Sequence, residues 1–254
     1  EWTREGVVRQ AAFVGLRTDK PASQIIHEQP RAAKSVKAPE TSKAGKAQAT
    51  VKSVKITHPE RIIDKHSGTQ KQQLAQFYTD ISEWILPFLR ARAVSLLRAP
   101  EGIEGEQFFQ KHSERMAIPH IKQLDPALDP GHARLMEIDS VEALVGAVQM
   151  GTVEFHTWGA TADKIETPDL FVLDLDPDPA LPWKAMLEAA QLTLSVLDEL
   201  GLQAFVKTSG GKGLHLIVPL ARRDGWDTVK AFAKAIAQFM TRQLPERFTA
   251  TSGP

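Results

Sequence analysis

The stretch Phe171-Val172-Leu173-Asp174-Leu175-Asp176-Pro177-Asp178-Pro179 runs an apolar strand directly into acids. Side chains alternate faces along a strand, so Asp174 and Asp176 share one face while Leu173 and Leu175 point to the buried side. Two neighbouring carboxylates repel unless a cation sits between them, and hard oxygen donors suit Mg²⁺ or Mn²⁺. The competing reading is an exposed acidic turn closed by two prolines. Asp178, beyond the first of those prolines, belongs to the turn. A second feature follows one predicted helix later: Lys207-Thr208-Ser209-Gly210-Gly211-Lys212-Gly213-Leu214-His215-Leu216. Glycines let backbone N–H groups converge on an anion, and Lys212 adds a point charge. The spacing is not that of a Walker A loop, and this loop joins two strands rather than a strand and a helix. His215 inside an apolar strand needs a partner for its imidazole. Taken alone it reads as a core histidine; beside Ser209 and Lys212, a phosphate-contacting group competes. A glycine-rich hairpin is a weak signal by itself, and a much stronger one shortly after paired strand-end acids.

The elements that must position these residues are legible from periodicity. Residues 71–90 carry Leu74, Phe77, Tyr78, Ile81, Trp84, Ile85 and Phe88 at helical spacing, entered through Ser67-Gly68-Thr69. A second helix runs from Asp139 or Ser140 to Met150 before Gly151, with Asp139 and Glu142 at capping-box spacing. A third starts at Pro182 and stops at Gly201. The fourth follows Asp227 and carries Val229, Phe232, Ile236, Phe239, Met240 and Leu244 before Pro245. Short strands are predicted over 94–98, 107–111, 153–157, 170–174, 204–207 and 214–218. These stripes and runs are expected to be core.

Composition bounds the class. The 254 residues are 42% hydrophobic and 24% charged, a soluble globular profile. Cys is absent, which excludes disulfides and thiolate metal sites and fits a reducing compartment. The formal net charge is +0, so any surface for nucleic acid must be a local patch. Residues 21–52 are rich in Pro, Ala, Ser and Thr with scattered Lys and Arg, and read as a basic, flexible linker. The body begins near Ser53.

Asp-Leu-Asp-Pro at 174–177, followed by Ser-Gly-Gly-Lys-Gly-Leu-His at 209–215, resembles the polymerase domain of bacterial DNA ligase D, a member of the archaeo-eukaryotic primase superfamily. The likeness extends from about residue 54 to residue 248. It implies an α+β fold: a primase-like catalytic core with a central mixed or antiparallel sheet packed by helices. It implies that Asp174 and Asp176 are catalytic and hold Mn²⁺ or Mg²⁺, two ions in the intact domain. By the same resemblance His156, Ser209, Lys212 and His215 bind the incoming nucleotide. Phe108 and Phe109 match an aromatic pair that stacks on DNA, a sequence-tolerant contact. Since adjacent strand residues face opposite ways, one of the two is expected to be buried. Arg61 and Lys71 match positions that recognise a 5′-phosphate, and Lys71 sits in a first helical turn where free N–H groups favour phosphate. The implied reaction is template-directed addition of an NTP or dNTP to a DNA 3′-hydroxyl at double-strand-break ends or gaps. The implied setting is end joining in the bacterial cytoplasm, at the nucleoid, within a multifunctional ATP-dependent ligase and beside the end-binding protein Ku.

Residues 1–20 resemble the end of a ligase oligonucleotide-binding-fold domain, with Arg17, Asp19 and Lys20 matching its last nucleotidyltransferase motif. The expected organisation is therefore a ligase remnant at 1–20, the linker at 21–52 and the polymerase domain at 53–254. One departure matters. The family places a third metal carboxylate on a strand beyond the helix that ends near Leu244, whereas here the sequence reads Arg247-Phe248-Thr249-Ala250-Thr251-Ser252-Gly253-Pro254. Asp224 and Asp227 lie on the wrong side of that helix to replace it. The expectation is a C-terminally truncated domain that binds nucleotide and 5′-phosphate but extends poorly; the alternative is a catalytically impaired DNA-end-binding module. A haloacid-dehalogenase-like phosphatase also begins with an apolar strand into Asp-x-Asp, but Asp178 stands where it carries Thr or Val, and it has no place for the glycine hairpin.

Overall fold

The computed structural model describes residues 48–113 and 117–250. The expected ligase remnant, with Arg17, Asp19 and Lys20, and most of the expected linker lie outside the described residues. In chain order the elements are β1 (Gln48–Val51), β2 (Val54–Thr57), β3 (Ile62–Asp64), β4 (Thr69–Gln70), α1 (Lys71–Asp80), α2 (Ser82–Leu89), β5 (Arg92–Arg98), β6 (Phe108–Gln110), β7 (Lys122–Gln123), β8 (Met136–Glu137), α3 (Val141–Gln149), β9 (Thr152–Thr161), β10 (Leu170–Leu175), α4 (Trp183–Glu199), β11 (Phe205–Thr208), β12 (Leu214–Pro219) and α5 (Trp226–Gln243). This is an α+β chain, as expected. Among the described residues the strands divide into two three-stranded sheets, ordered β6-β5-β9 and β10-β12-β11, and three two-stranded ones. No helix among the described residues is long and apolar enough to cross a membrane.

By contacts the described residues form two compact units, one of 172–217 and one of 48–171 with 218–250. In the larger unit, β1 and β2 form a hairpin whose two connecting residues, Lys52 and Ser53, both adopt positive φ. β1 falls inside the span read from sequence as linker, and its Val51 joins the core with Val54 and Ile56. α3 supplies the centre of that core. Ala143, Leu144, Val145, Ala147 and Val148 are all buried, as expected for a helix apolar on every side. Gly146 is required there, because a Cβ would lie 2.1 Å from the Pro119 carbonyl oxygen. Ser140 caps α3 by accepting from the Ala143 amide, so the Asp139–Glu142 capping box is not the one used.

The helix expected over 71–90 is two helices. Ile81 leaves helical geometry at φ −93°, ψ 4°, closing α1 and opening α2. Within α2, Pro87 cannot donate to the Glu83 carbonyl, so this helix is weakened from inside as well. The break changes the buried phase: Ala75, Tyr78, Leu86 and Leu89 are buried, while Phe77, Trp84 and Phe88 face outward. The three aromatics read as core are therefore surface, Trp84 and Phe88 at 71% and 72% exposure. In α5, Val229, Ile236 and Met240 are buried as expected, but Phe232 and Phe239 are exposed.

The smaller unit packs α4 onto its sheet through Met186 and Ala190 against Leu175, Val206 and Leu214. α4 ends as the sequence indicates, with Gly201 at φ +71° just past Leu200. β11 pairs antiparallel with β12, with Lys207 opposite His215 and Thr208 opposite Leu214.

Candidate active site

Residues of the smaller unit build one cluster. Along β10 the alternation holds: Asp174 is exposed and Leu173 and Leu175 are half-buried, and Asp176 just past the strand is exposed again. Asp178 is a turn residue, its carboxylate accepting from the Ala180 amide at 2.8 Å and its carbonyl from Leu181 at 2.9 Å.

The loop 209–213 between β11 and β12 is tied by one side chain. The Ser209 hydroxyl donates to the Gly213 carbonyl at 3.1 Å and accepts from the amides of Gly213 at 3.1 Å and Gly211 at 3.3 Å. Those bonds make Ser209 the organiser of the loop, a role its sequence position did not suggest. Gly210 takes φ +91°, which a side chain resists. Gly213 is needed for a different reason. A Cβ there would fall 2.4 Å from the Leu175 carbonyl oxygen and 2.9 Å from Asp176 Oδ1. The glycine hairpin is thus seated directly on the acid-bearing end of β10. On the next strand residue but one, His215 places Nε2 3.4 Å from Asp174 Oδ1. The imidazole in the apolar strand has its partner. Lys212 is exposed at the loop. Asp174, Asp176, Ser209, Lys212 and His215 therefore belong to one local assembly: two exposed carboxylates, a cationic loop with backbone amides, and an imidazole.

The remaining candidates lie in the larger unit. Phe108 and Phe109 sit on β6, an edge strand three residues long. Their side chains do point to opposite faces, yet both are exposed, at 42% and 55%. The expectation that one is core fails because neither face of this short edge is covered. Beneath Phe108 lies Arg98, its guanidinium carbon 5.2 Å from the ring centroid. Arg98 is buried, bonded to the Met150 carbonyl and to Gln110, and burial lowers its pKa. On the other face the Phe109 ring meets His156 edge-on at 5.1 Å. His156 Nε2 lies 2.7 Å from Glu154 Oε2. Arg98 and Glu154 were missed in the sequence, although Glu154 is two residues before His156 and so on its face of β9.

Arg61 and Lys71 are held close together in a different way from that expected. Arg61 is exposed and donates to the Pro100 carbonyl at 2.7 Å. Lys71 is only 6% exposed, with Nζ donating to the Thr57 carbonyl at 3.0 Å. Burial, then the positive charge of Arg61, pushes its pKa down to about 8, with Glu60 opposing. The free first-turn amides invoked for phosphate are taken: Lys71 N–H donates to the Arg61 carbonyl at 2.8 Å and Gln72 N–H to Pro59 at 3.0 Å. What remains attractive to an anion is the pair of side-chain cations.

Comparison with known proteins identifies the family. The family described as LigD, primase-polymerase domain, matches residues 70–254. The multifunctional non-homologous end joining protein LigD of Pseudomonas aeruginosa is 58% identical over 254 residues, all of this chain and 30% of that protein. The bifunctional LigD of Bacillus subtilis is 27% identical over 252 residues, 96% of this chain and 37% of its own length. The chain thus spans about a third of these relatives. Among solved structures, the polymerase domain of Mycobacterium tuberculosis ligase D in complex with DNA superposes with a TM-score of 0.68 at 25% identity, over 76% of this chain and 70% of that one. A match over most of the chain, on residues that include the strand-end acids and the hairpin seated on them, places this protein in the LigD primase-polymerase domain family.

Proposed function

We propose that this chain carries out template-directed addition of a nucleoside monophosphate, from an NTP or dNTP, to a DNA 3′-hydroxyl at broken ends or gaps. The observation that carries the reading is the seat of the Gly213 backbone on Leu175 and Asp176, which sets a cationic amide loop beside two exposed carboxylates. The donor set fits a divalent cation. Asp174 and Asp176 offer hard oxygens on one face, as Mn²⁺ and Mg²⁺ require. When bound there, such an ion offsets triphosphate charge and lowers the pKa of the attacking hydroxyl.

The chain's own residues do the rest. Lys212 and the amides of Gly210 and Lys212, which Ser209 does not engage, hold the triphosphate, while Ser209 fixes the shape of the loop through the amides of Gly211 and Gly213. His215 orients Asp174 and can donate to a phosphate oxygen. His156, steadied by Glu154, contacts the nucleotide, while Phe108 and Phe109 stack on bases. Arg61 and Lys71 meet the 5′-phosphate across a gap. Two cations held together, one of them buried, with Glu60 the carboxylate that offsets Lys71, form a positive site that a phosphate would complement. The relatives are named for non-homologous end joining; on the family resemblance we assign the same process here, with Ku as the end-binding partner in a bacterial cytoplasm.

Single-nucleotide addition by the full chain on a gapped duplex with Mn²⁺ tests this. Template-matched extension that disappears in Asp174→Asn supports the proposal. Binding to 5′-phosphorylated gaps without any extension would instead leave a DNA-end-binding module.

A further inference from the structure

A side-chain cluster in the larger unit, apart from all the residues above, has metal-ligand chemistry. His112 Nε2 lies 2.7 Å from Asp129 Oδ2, and His132 Nδ1 lies 2.9 Å from Asp129 Oδ1. The two imidazoles stack, with centroids 5.4 Å apart and planes at 12°. One ligand atom from each residue lies within 4.8 Å of the other two.

Backbone structure brings these groups together from separate segments. His112 follows β6 and bridges to Leu135, and the next amide, Ser113, donates to the Arg134 carbonyl at 2.8 Å. Asp129 closes the short 3-10 turn Pro126–Leu128. Its carbonyl accepts from the His132 amide at 3.3 Å, a turn that needs Gly131 at φ +88°. His112 and Asp129 are half-buried and His132 is exposed, its side chain at 62%. A tetrahedral cation with nitrogen and oxygen ligands at about 2.0–2.2 Å sets those ligands about 3.3–3.5 Å apart. To admit one, the short histidine–carboxylate contacts would open by roughly half an ångström, while ligand atoms now up to 4.8 Å apart would close toward that spacing.

We propose that His112, Asp129 and His132 form a binding site for a transition-metal cation of the zinc type, separate from any ion at Asp174 and Asp176. Two imidazoles with one carboxylate favour such a cation over Mg²⁺ or Mn²⁺, which prefer all-oxygen shells. Three protein ligands leave the fourth position to water on the exposed side of His132. The site ties the turn at 126–132 to the chain just after β6. That chain is already fastened to the aromatic edge: Gln110 Nε2 donates to the His112 carbonyl at 3.1 Å and accepts from Arg98 at 2.7 Å through its Oε1. The ion is therefore a structural clamp on the strand that presents Phe108 and Phe109.

The test is calorimetric titration of the chelator-treated full chain with Zn²⁺, and separately with Co²⁺, whose visible absorption reports its ligands. Both are repeated in an Asp174→Asn/Asp176→Asn background so that ions at those acids do not count. One equivalent of Zn²⁺ is expected in that background, with Co²⁺ bands of a nitrogen- and oxygen-ligated tetrahedral ion. His132→Ala, at an exposed position and checked for folding by circular dichroism, is expected to weaken binding at least about tenfold and abolish the Co²⁺ bands. Substoichiometric binding, or the same affinity in His132→Ala, would overturn the proposal and reduce the cluster to a hydrogen-bonded trio.

Discussion

Alanine at position 213 should unseat the hairpin from the acid strand. The added methyl would sit 2.4 Å from the Leu175 carbonyl oxygen, 2.9 Å from Asp176 Oδ1 and 3.3 Å from the Leu175 carbonyl carbon. Ordinary contact distances are about 3.5 Å or more, so the loop or the strand end must retreat by about 1 Å. The nearest atom is backbone and cannot rotate aside. Overpacking of this kind costs about 1–3 kcal/mol. The loop moves as a unit because Ser209 bonds both the amide and the carbonyl of Gly213, so Lys212 is carried with it. A displacement near 1 Å at a reacting centre costs on the order of a hundredfold in rate. The two neighbouring glycines are internal controls. Gly211→Ala meets only Ser209 Oγ at 3.9 Å, and should change stability by less than about 0.5 kcal/mol. Gly210→Ala has open space but φ +91°, a backbone cost of about 1 kcal/mol or somewhat more. Urea unfolding should rank the three substitutions 211, 210, 213 in increasing damage, and nucleotide addition should fall steeply only for 213. If Gly213→Ala matches Gly211→Ala in both assays, the hairpin is not seated on β10 as described.

Binding of a 5′-phosphorylated oligonucleotide should raise the Lys71 pKa from about 8 toward its ordinary value, followed by NMR of the lysine ammonium; an unchanged titration excludes Lys71 from the phosphate site. The folded-state pKa lies below the unfolded one, so the unfolded chain binds more protons between the two values. Stability should therefore rise with pH from about 8 to 10.5, and Lys71→Met should remove that rise as read by denaturant midpoints. Phe108→Ala and Phe109→Ala should each weaken gapped-DNA binding by about 1–3 kcal/mol regardless of base sequence. Affinity unchanged in both would remove the stacking role.

Much of the candidate site's geometry was legible because it rests on local patterns. Alternation along 171–176 put the two acids on one face, and the glycine run fixed where a tight hairpin must lie. What escaped depends on contacts that spacing does not encode. The β1–β2 hairpin turns through Lys52-Ser53 with both φ values positive, a conformation usually marked by Asn-Gly, so no turn signal announced it and the strand read as linker. The break at Ile81 shifts the helical phase, and a stripe that is periodic in sequence then exposes Phe77, Trp84 and Phe88. Alternation correctly sent Phe108 and Phe109 to opposite faces, but only tertiary structure tells that neither face is covered. Nothing local in the sequence shows that Lys71 is buried, with its ammonium bonded to the Thr57 carbonyl and Arg61 nearby.

The central assignment is most directly measured by titrating the full chain with Mn²⁺ and following the free ion by electron paramagnetic resonance, with and without a nucleoside triphosphate. Mn²⁺ should bind the unaltered chain, bind more tightly with triphosphate present, and lose both properties in Asp174→Asn and in Asp176→Asn. Mn²⁺ binding that survives both substitutions unchanged would contradict the assignment of a shared divalent cation to these two carboxylates.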